Sequence, residues 1–84
     1  MLEVRFFARL REALGRERVR LPLETPGLTV EGLLSALEAE IPGSRGQLTA
    51  PGIRLAVNQT FVEDENFALN PGDEVAFLPP VTGG

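Results

Sequence analysis

The stretch TVEGLLSALEAEIPG, residues 29–43, decides the fold, because it has the pattern of one amphipathic helix set between strand-like segments. Thr29 is a good helix N-cap, and Pro42-Gly43 ends the pattern. The apolar residues between them fall on one helical face: Val30, Leu33, Leu34, Leu37 and Ile41. Gly32 costs the helix about 1 kcal/mol relative to alanine. We therefore expect packing on a sheet, more than intrinsic propensity, to stabilise this helix.

Upstream of the helix, residues 2–8 alternate with the period of a half-buried strand. One side of this strand carries Leu2, Val4, Phe6 and Ala8. The other side carries Glu3, Arg5, Phe7 and Arg9. Phe7 is therefore an aromatic residue on an otherwise charged face. Residues 9–16 have the composition of a connection, and the alternation over residues 18–23 predicts a second strand. Together these segments predict a hairpin closed by a long loop.

Downstream of the helix, residues 43–52 predict a connection with room for a short turn of helix. Alternation over residues 53–58 predicts a third strand, and residues 61–62 a short one after it. The sequence NPGD at residues 70–73 is a strong turn signal. A strand at residues 74–78 follows this turn.

In this last strand Val75 and Phe77 point inward, and Ala76 and Leu78 point outward. Pro79-Pro80 end it, because proline has no N–H to donate to a sheet.

The order of elements predicts an α+β fold, the β-grasp or ubiquitin-like roll, with a mixed sheet of four to five strands packed on one main helix. The alternative is a split βαβ ferredoxin-like arrangement. That fold needs a second helix before the last strand, and residues 63–70 are too short and too polar for a good one. We expect residues 1–78 to form a single domain and residues 79–84 a flexible tail ending in Gly-Gly.

Composition argues against a self-sufficient enzyme. The 84 residues include no cysteine, histidine or lysine. The chain therefore lacks a thiol nucleophile, an imidazole base and a Schiff-base amine, which carry much of side-chain catalysis. The acidic run at residues 63–65 lacks the spacing of a calcium loop, and we expect no metal site.

Charge is unevenly distributed along the chain. Residues 1–20 hold six arginines and three glutamates, although the net charge of the whole chain is −4. Without a concentrated basic stripe we expect no nucleic-acid partner. No apolar run has the length of a signal peptide or membrane span, so the expected location is the cytoplasm.

The end of the chain, PPVTGG at residues 79–84, carries the chemistry. Six extended residues reach about 20 Å, enough to deliver a carboxyl group into a partner's buried site. Glycine lets the pocket wall close on the backbone, because it has no Cβ. A carboxylate is a poor electrophile, so a nucleotide-dependent partner must first convert Gly84 to an acyl-adenylate. A sulfur nucleophile then gives a thioester, used for attachment to an amine, or a thiocarboxylate, which can donate sulfur.

Three segments resemble the MoaD family, the small subunits of molybdopterin synthase: MLEVRFFARLRE at residues 1–12, LAVNQTFV at residues 55–62 and GDEVAFLPPVTGG at residues 72–84. The resemblance implies a sulfur carrier that binds no cofactor and is not catalytic alone. An ATP-dependent MoeB-like enzyme would adenylate Gly84, and a sulfurtransferase and a cysteine desulfurase would supply the sulfur. The thiocarboxylate would then give its sulfur to cyclic pyranopterin monophosphate to build the molybdopterin dithiolene.

The resemblance also implies a MoaE-like large subunit that accepts the tail, in a synthase of two small and two large subunits. The implied contact residues are Phe7, Arg11, Phe61, Leu78, Pro79, Pro80, Val81 and Thr82, and the reacting end is Gly83-Gly84. Leu78 departs from the family pattern, which often has Phe there.

Three other functions fit the same tail. A covalent protein modifier would join Gly84 to a lysine of a target. A sulfur carrier could also serve thiamine synthesis or tRNA thiolation. A plain interaction module would leave the tail chemically inert. Because the chain has no lysine, another copy could be joined to it only at its N-terminal amine.

Overall fold

The computed structural model describes residues 1–80. Its elements in chain order are β1 (Leu2–Phe6), α1 (Arg9–Leu14), β2 (Arg18–Leu21), β3 (Leu28–Thr29), α2 (Val30–Glu40), α3 (Ser44–Leu48), β4 (Arg54–Val57), β5 (Thr60–Val62), β6 (Ala68–Leu69) and β7 (Glu74–Leu78). Helix α2, with 11 residues, is the main helix that the sequence predicts.

Five strands form one mixed sheet in the spatial order β2-β1-β7-β4-β5. The first and last strands, β1 and β7, are parallel neighbours, and the other pairs are antiparallel. Parallel neighbours need a crossover connection, and the chain between β1 and β7 supplies it through α2. The predicted β-grasp roll is confirmed. The ferredoxin-like alternative is wrong, because residues 63–70 contain β6 where that fold needs a helix.

The core lies between α2 and one side of the sheet. The register of β1 and β7 aligns Val4 with Val75 and Phe6 with Phe77. The Phe6 and Phe77 rings stack with centroids 6.1 Å apart and planes inclined by 29°. Leu37 of α2 is fully buried in the same cluster. The inward side chains predicted from alternation are therefore the core residues of both central strands, except Ala8. Ala8 is exposed, because β1 ends at Phe6 and Ala8 adopts a φ of 52°.

The start of α2 follows the predicted capping. The Thr29 side-chain oxygen accepts a hydrogen bond from the Gly32 N–H at 3.1 Å. A Cβ at position 32 would lie 2.8 Å from Leu28 Cδ1, the end of a flexible side chain. The Leu28 side chain therefore packs against the bare backbone of Gly32, and it would have to shift to accept a larger residue there.

The prediction of a plain connection at residues 9–16 is wrong, because residues 9–14 form helix α1. Leu10 is only 2% exposed and attaches this short helix to the core. A helix of 6 residues is too short to show an apolar period, which explains why the pattern did not predict it.

The sequence also gave no signal for a second, two-stranded sheet. Leu28 pairs with Leu69, and Thr29 with Ala68, in antiparallel register. Two-residue strands are shorter than any alternation that can be recognised. The predicted connection at residues 43–52 does contain its short turn of helix, which is α3.

Candidate functional site

The outer face of the five-stranded sheet is the side turned away from α2. On this face Ala56 of β4 lies in register with Ala76 of β7 and with Phe61 of β5. Leu78 shares the face with Ala76, because alternate residues of a strand point to the same side. The two alanines make a shallow floor, and Ala56 is only 7% exposed. Larger apolar side chains stand around this floor.

Phe7 extends the alternation of β1 by one residue. Its N–H donates a hydrogen bond to the Phe77 carbonyl at 3.3 Å, so the parallel pairing with β7 continues past the end of β1. The half-buried Phe7 side chain lies on the outer face, and the Arg5 guanidinium carbon is 5.0 Å from its ring centroid. This stacking covers the ring and gives it a fixed neighbour.

A groove of about 340 Å³ opens on the outer face. Phe7, Phe61 and Leu78 all line it, together with Ala56 and Ala76. The structure thus brings together the three apolar residues that the sequence assigns to partner binding. An apolar groove with a floor of small residues accepts a bulky side chain from another protein.

Phe61 is the most exposed member of this group, with 52% of its surface accessible. The guanidinium carbon of Arg54 lies 3.7 Å from its ring centroid. An aromatic ring stacked on a cation keeps a defined position even when half of it faces water. Phe61 therefore has the exposure and the orientation of an interface anchor.

The first residues of the predicted tail adjoin this groove. A second hollow, of about 400 Å³, is lined by Gly52, Arg54, Phe61, Leu78, Pro79 and Pro80. Phe61 and Leu78 line both hollows, so the outer-face groove leads directly to the point where the tail begins. Both prolines are half-buried against the domain.

Arg11 lies apart from this face. It is an exposed residue of α1 whose N–H donates to the Ala8 carbonyl at 3.1 Å. It lines neither hollow. Its predicted partner contact therefore requires a partner that reaches beyond the groove onto α1.

The outer face carries a positive charge bias. Glu3 forms ion pairs with Arg18 at 3.3 Å and with Arg20 at 3.0 Å. Within residues 1–80, Arg5 and Arg54 have no carboxylate partner at ion-pair distance, and Arg5 Nε is buried without a hydrogen-bond acceptor. The exposed carboxylate of Glu74 also lines the groove, so the two arginines beside the groove outnumber one acidic residue. This balance favours an acidic partner surface.

Several residues of this face were missed by the sequence reasoning. Arg5 and Arg54 have a signal in the alternation, which puts them on the outer side of β1 and β4. The same alternation puts Ala56 and Ala76 on the outer side of β4 and β7, but their small size does not show that they form the floor of a groove. Gly52 is recognised only from the position of Pro80 in space.

Val81, Thr82, Gly83 and Gly84, which the sequence assigns to the tail and its reacting end, lie outside the described residues. Among residues 1–80, no three acidic side chains come close enough together to hold a metal ion. The same part of the chain contains no helix long and apolar enough to cross a membrane.

The chain matches the model of the ThiS family over residues 4–84. It is 40% identical to the molybdopterin synthase sulfur carrier subunit of Escherichia coli, and the match covers 100% of both chains. It is 35% identical to small archaeal modifier protein 3 of Haloferax volcanii, over 99% of this chain and 98% of that one.

Two solved structures share the fold along nearly the whole chain. SAMP1 from Haloferax volcanii superposes with a TM-score of 0.83 at 29% identity, covering 99% of this chain and 98% of that one. The complex of subunits 1 and 2 of the molybdopterin-converting factor from Helicobacter pylori contains a chain that superposes with a TM-score of 0.66 at 26% identity, covering 99% and 97%. The tail root, Pro79-Pro80, adjoins the groove, as the predicted role of the tail requires. On the full-length matches, the chain belongs to the ThiS family, in its group of molybdopterin synthase sulfur carrier subunits.

Proposed function

We propose that this protein carries sulfur on its C-terminal glycine for the synthesis of molybdopterin. The observation that carries the proposal is the apolar groove on the outer face, which leads to the root of a tail ending in Gly83-Gly84. One surface can therefore dock on a partner while the adjoining tail enters that partner's active site. The full-length match to the Escherichia coli sulfur carrier subunit supports the same function.

The tail chemistry begins with activation of Gly84 by a MoeB-like partner. A carboxylate oxygen of Gly84 attacks the α-phosphorus of ATP, pyrophosphate leaves, and an acyl-adenylate forms. A sulfurtransferase and a cysteine desulfurase supply the sulfur as a persulfide, from which a thiol reductant releases hydrosulfide and is itself oxidised to a disulfide. Hydrosulfide then attacks the acyl carbon and AMP leaves. The product is a thiocarboxylate, and no electrons are gained or lost in the two steps on Gly84.

Sulfur transfer uses the thiocarboxylate as a nucleophile. Its sulfur forms a bond to a side-chain carbon of cyclic pyranopterin monophosphate, and the C–O bond at that carbon breaks, so that its oxygen leaves as water or stays on the opened phosphate ester. Water then cleaves the bond between sulfur and the acyl carbon. Gly84 returns as a carboxylate, ready for another cycle. Two carriers are needed for each dithiolene, which suits a synthase with two small and two large subunits.

The large subunit is the partner that the outer face fits. The Helicobacter pylori complex pairs subunit 1 of a molybdopterin-converting factor with subunit 2, which supports a MoaE-like partner for this chain. The large subunit must supply the acid and base groups, because this chain has no histidine, cysteine or lysine. We assign the protein to the cytoplasm and describe it as the sulfur-donating, non-catalytic subunit of a sulfurtransferase.

Deletion of Gly84 tests this function. The shortened chain keeps every residue of the β-grasp domain, so we expect an unchanged thermal unfolding curve and no sulfur transfer. Deletion of Glu24, an exposed loop residue, is the control for loss of one residue. Normal sulfur transfer by the chain without Gly84 would disprove the proposal.

A second function is favoured by the match to small archaeal modifier protein 3. The same acyl-adenylate, or a thioester made from it, can be attacked by the ε-amine of a lysine on another protein. An amide then joins Gly84 to that lysine, and AMP or the thiol leaves. Recovery of lysine-linked forms from cells, identified as target peptides that carry the C-terminal segment of this chain on a lysine, would show this activity beside sulfur transfer.

A further inference from the structure

The chain leaves the sheet at a defined contact. The pairing of Arg54 with Leu78 is the last step of the register between β4 and β7. Pro79 and Pro80 cannot extend this ladder because they have no N–H. Pro80 instead lies on Gly52, in the turn that precedes β4, and it is half-buried there. Within residues 1–80, the contact nearest the end of the chain is therefore one between a proline ring and a glycine.

Gly52 lies in a β-turn that places its backbone, with no side chain, against Pro80. The Ile53 N–H donates to the Ala50 carbonyl at 3.1 Å, with Pro51 at the second position of the turn. Gly52, at the third position, has a φ of 87°, which side-chain-bearing residues rarely adopt. Its backbone conformation alone would explain a glycine.

The contact with Pro80 adds a second requirement at the same position. A Cβ on Gly52 would lie 2.9 Å from Pro80 Cγ, 3.1 Å from its Cβ and 3.4 Å from its Cδ. The turn at residues 70–73 provides a comparison: it has the same Pro-Gly centre, the same 3.1 Å closing hydrogen bond, and a φ of 91° at Gly72. A Cβ on Gly72 would have no neighbour within 4 Å. The two turns match in conformation and differ in what the glycine touches.

We propose that Gly52 is a positioning residue, whose missing Cβ seats Pro80 and so sets the point and direction from which the tail leaves the domain. This inference rests on the proposed function, because it concerns delivery of the Gly84 thiocarboxylate. Four residues follow Pro80, and they span at most about 13 Å when extended. A chain this short cannot absorb a displaced starting point, and a displacement of about 1 Å at a reacting group can cost about a hundredfold in rate.

The test compares Gly52→Ala with Gly72→Ala in the full chain. Both place a Cβ at a positive φ in a Pro-Gly turn, so we expect similar losses in melting temperature. The rate is measured in a single turnover, from the preformed thiocarboxylate to the pterin on the large subunit. We expect Gly52→Ala to lower this rate by about tenfold to a hundredfold. Gly72→Ala should stay within about twofold of the wild type, as for a surface change away from the tail.

A second variant approaches the contact from the other side. Pro80→Gly removes the three atoms nearest to a Cβ on residue 52, which are Pro80 Cγ, Cβ and Cδ. If Gly52 acts through Pro80, adding Gly52→Ala to the Pro80→Gly chain should lower the rate no further. If Gly52→Ala instead lowers the rate by the same factor in the wild-type and Pro80→Gly backgrounds, its effect does not pass through Pro80, and the inference is overturned.

Nuclear Overhauser contacts provide a readout that does not depend on sulfur chemistry. We expect contacts between the Gly52 Hα protons and the Pro80 ring in the wild-type chain, and their loss in Gly52→Ala. Their absence from the wild type would overturn the inference. Equal rates for the two glycine variants, with an active wild type, would overturn it while leaving the proposed function intact. A wild type that transfers no sulfur to an active large subunit would refute the proposed function and this inference together.

Discussion

Arg54 and Phe61 form a stacked pair on the outer face, with the guanidinium carbon 3.7 Å from the ring centroid. The two residues come from adjacent strands, β4 and β5, and both line the hollow that holds the tail root. The arginine covers one side of the ring and leaves the ring 52% exposed overall. A large apolar side chain is thereby held ready for a partner, beside the point where the tail begins.

Phe61→Ala should weaken docking on the large subunit. Loss of an exposed aromatic anchor costs about 2 kcal/mol or more of binding free energy when the residue is an interface hot spot. Phe7→Ala and Leu78→Ala should also weaken binding, since both side chains line the same groove. Calorimetric titration with the large subunit measures each loss.

Phe67→Ala is the matched control for these docking variants. Phe67 is another exposed aromatic residue, 38% accessible, and it lines neither outer-face hollow. We expect it to leave the affinity within experimental error. Wild-type affinity in all three groove variants would reject the outer face as the docking surface.

Association with the large subunit should be fast and sensitive to salt. Arg5 and Arg54 flank the apolar groove, and charges at an interface act mainly on the association rate. Arg54→Met should slow association at low salt and flatten its salt dependence, because screening acts on the removed charge. Stopped-flow measurements over a salt series test this, with Arg16→Met as control, because Arg16 lies in the loop after α1 and lines neither hollow. An unchanged salt dependence in Arg54→Met would contradict the assignment.

Asn58 fixes the hairpin that carries Phe61. Its side-chain amide donates to Asp73 Oδ1 at 2.9 Å, and its Oδ1 accepts from the Glu74 N–H at 2.9 Å. It also adopts a φ of 50°, which asparagine tolerates better than most residues. Asn58→Ala should lower the free energy of unfolding by about 0.5–1.5 kcal/mol, as for loss of solvent-exposed hydrogen bonds.

Urea denaturation measures this loss. Asn66→Ala is the control, because Asn66 is exposed and contributes its backbone N–H, not its side chain, to the hydrogen bond with Asp64. The control should unfold at the wild-type midpoint. An Asn58→Ala chain that also unfolds there would show that the network does not hold the hairpin.

Glu38 makes the stability of the helical side depend on pH. Hydrogen bonds from the backbone N–H groups of Gly43 and Arg45 hold the pKa of its carboxyl below the ordinary value of 4.5, with a smaller contribution from the Arg45 charge. A carboxyl whose pKa is lower in the folded state stabilises the fold above its unfolded pKa and loses that effect as the pH falls through the folded pKa.

Glu38→Gln should therefore unfold more readily than the wild type at neutral pH, and the difference should shrink as the pH falls below 4.5. Melting temperatures from pH 7 downward test the sign, with Glu24→Gln, an exposed residue, as control. A difference that stays constant or grows toward low pH would contradict this role of Glu38.

The sequence predicts the elements that have length and period, and it misses those that do not. The alternation in β1 and β7 placed Phe7 and Leu78 on the same side of the sheet because a strand alternates strictly. Helix α1 and the β3 and β6 pair are too short to carry a period. Their formation depends on contacts such as the burial of Leu10, which only the folded chain supplies.

The sequence predicts which side chains belong to the candidate site, but it does not predict the groove that they form together. The register that places Ala56 between Ala76 and Phe61 arises from pairing of distant segments, so the floor of the groove has no local signal. The contact of Gly52 with Pro80 is of the same kind. Sequence pattern identifies which residues face outward, and long-range pairing determines which of them meet.

High-resolution intact mass spectrometry with C-terminal fragmentation tests sulfur carriage most directly. The full chain is incubated with a MoeB-like activating enzyme, ATP and sulfide, and the same mixture without ATP is the control. Fragmentation is needed because oxidation of Met1 nearly mimics the exchange of one oxygen for sulfur. We predict that the sulfur maps to Gly84 and that it appears only with ATP. A Gly84 that remains a carboxylate in the presence of a demonstrably active enzyme would contradict the account.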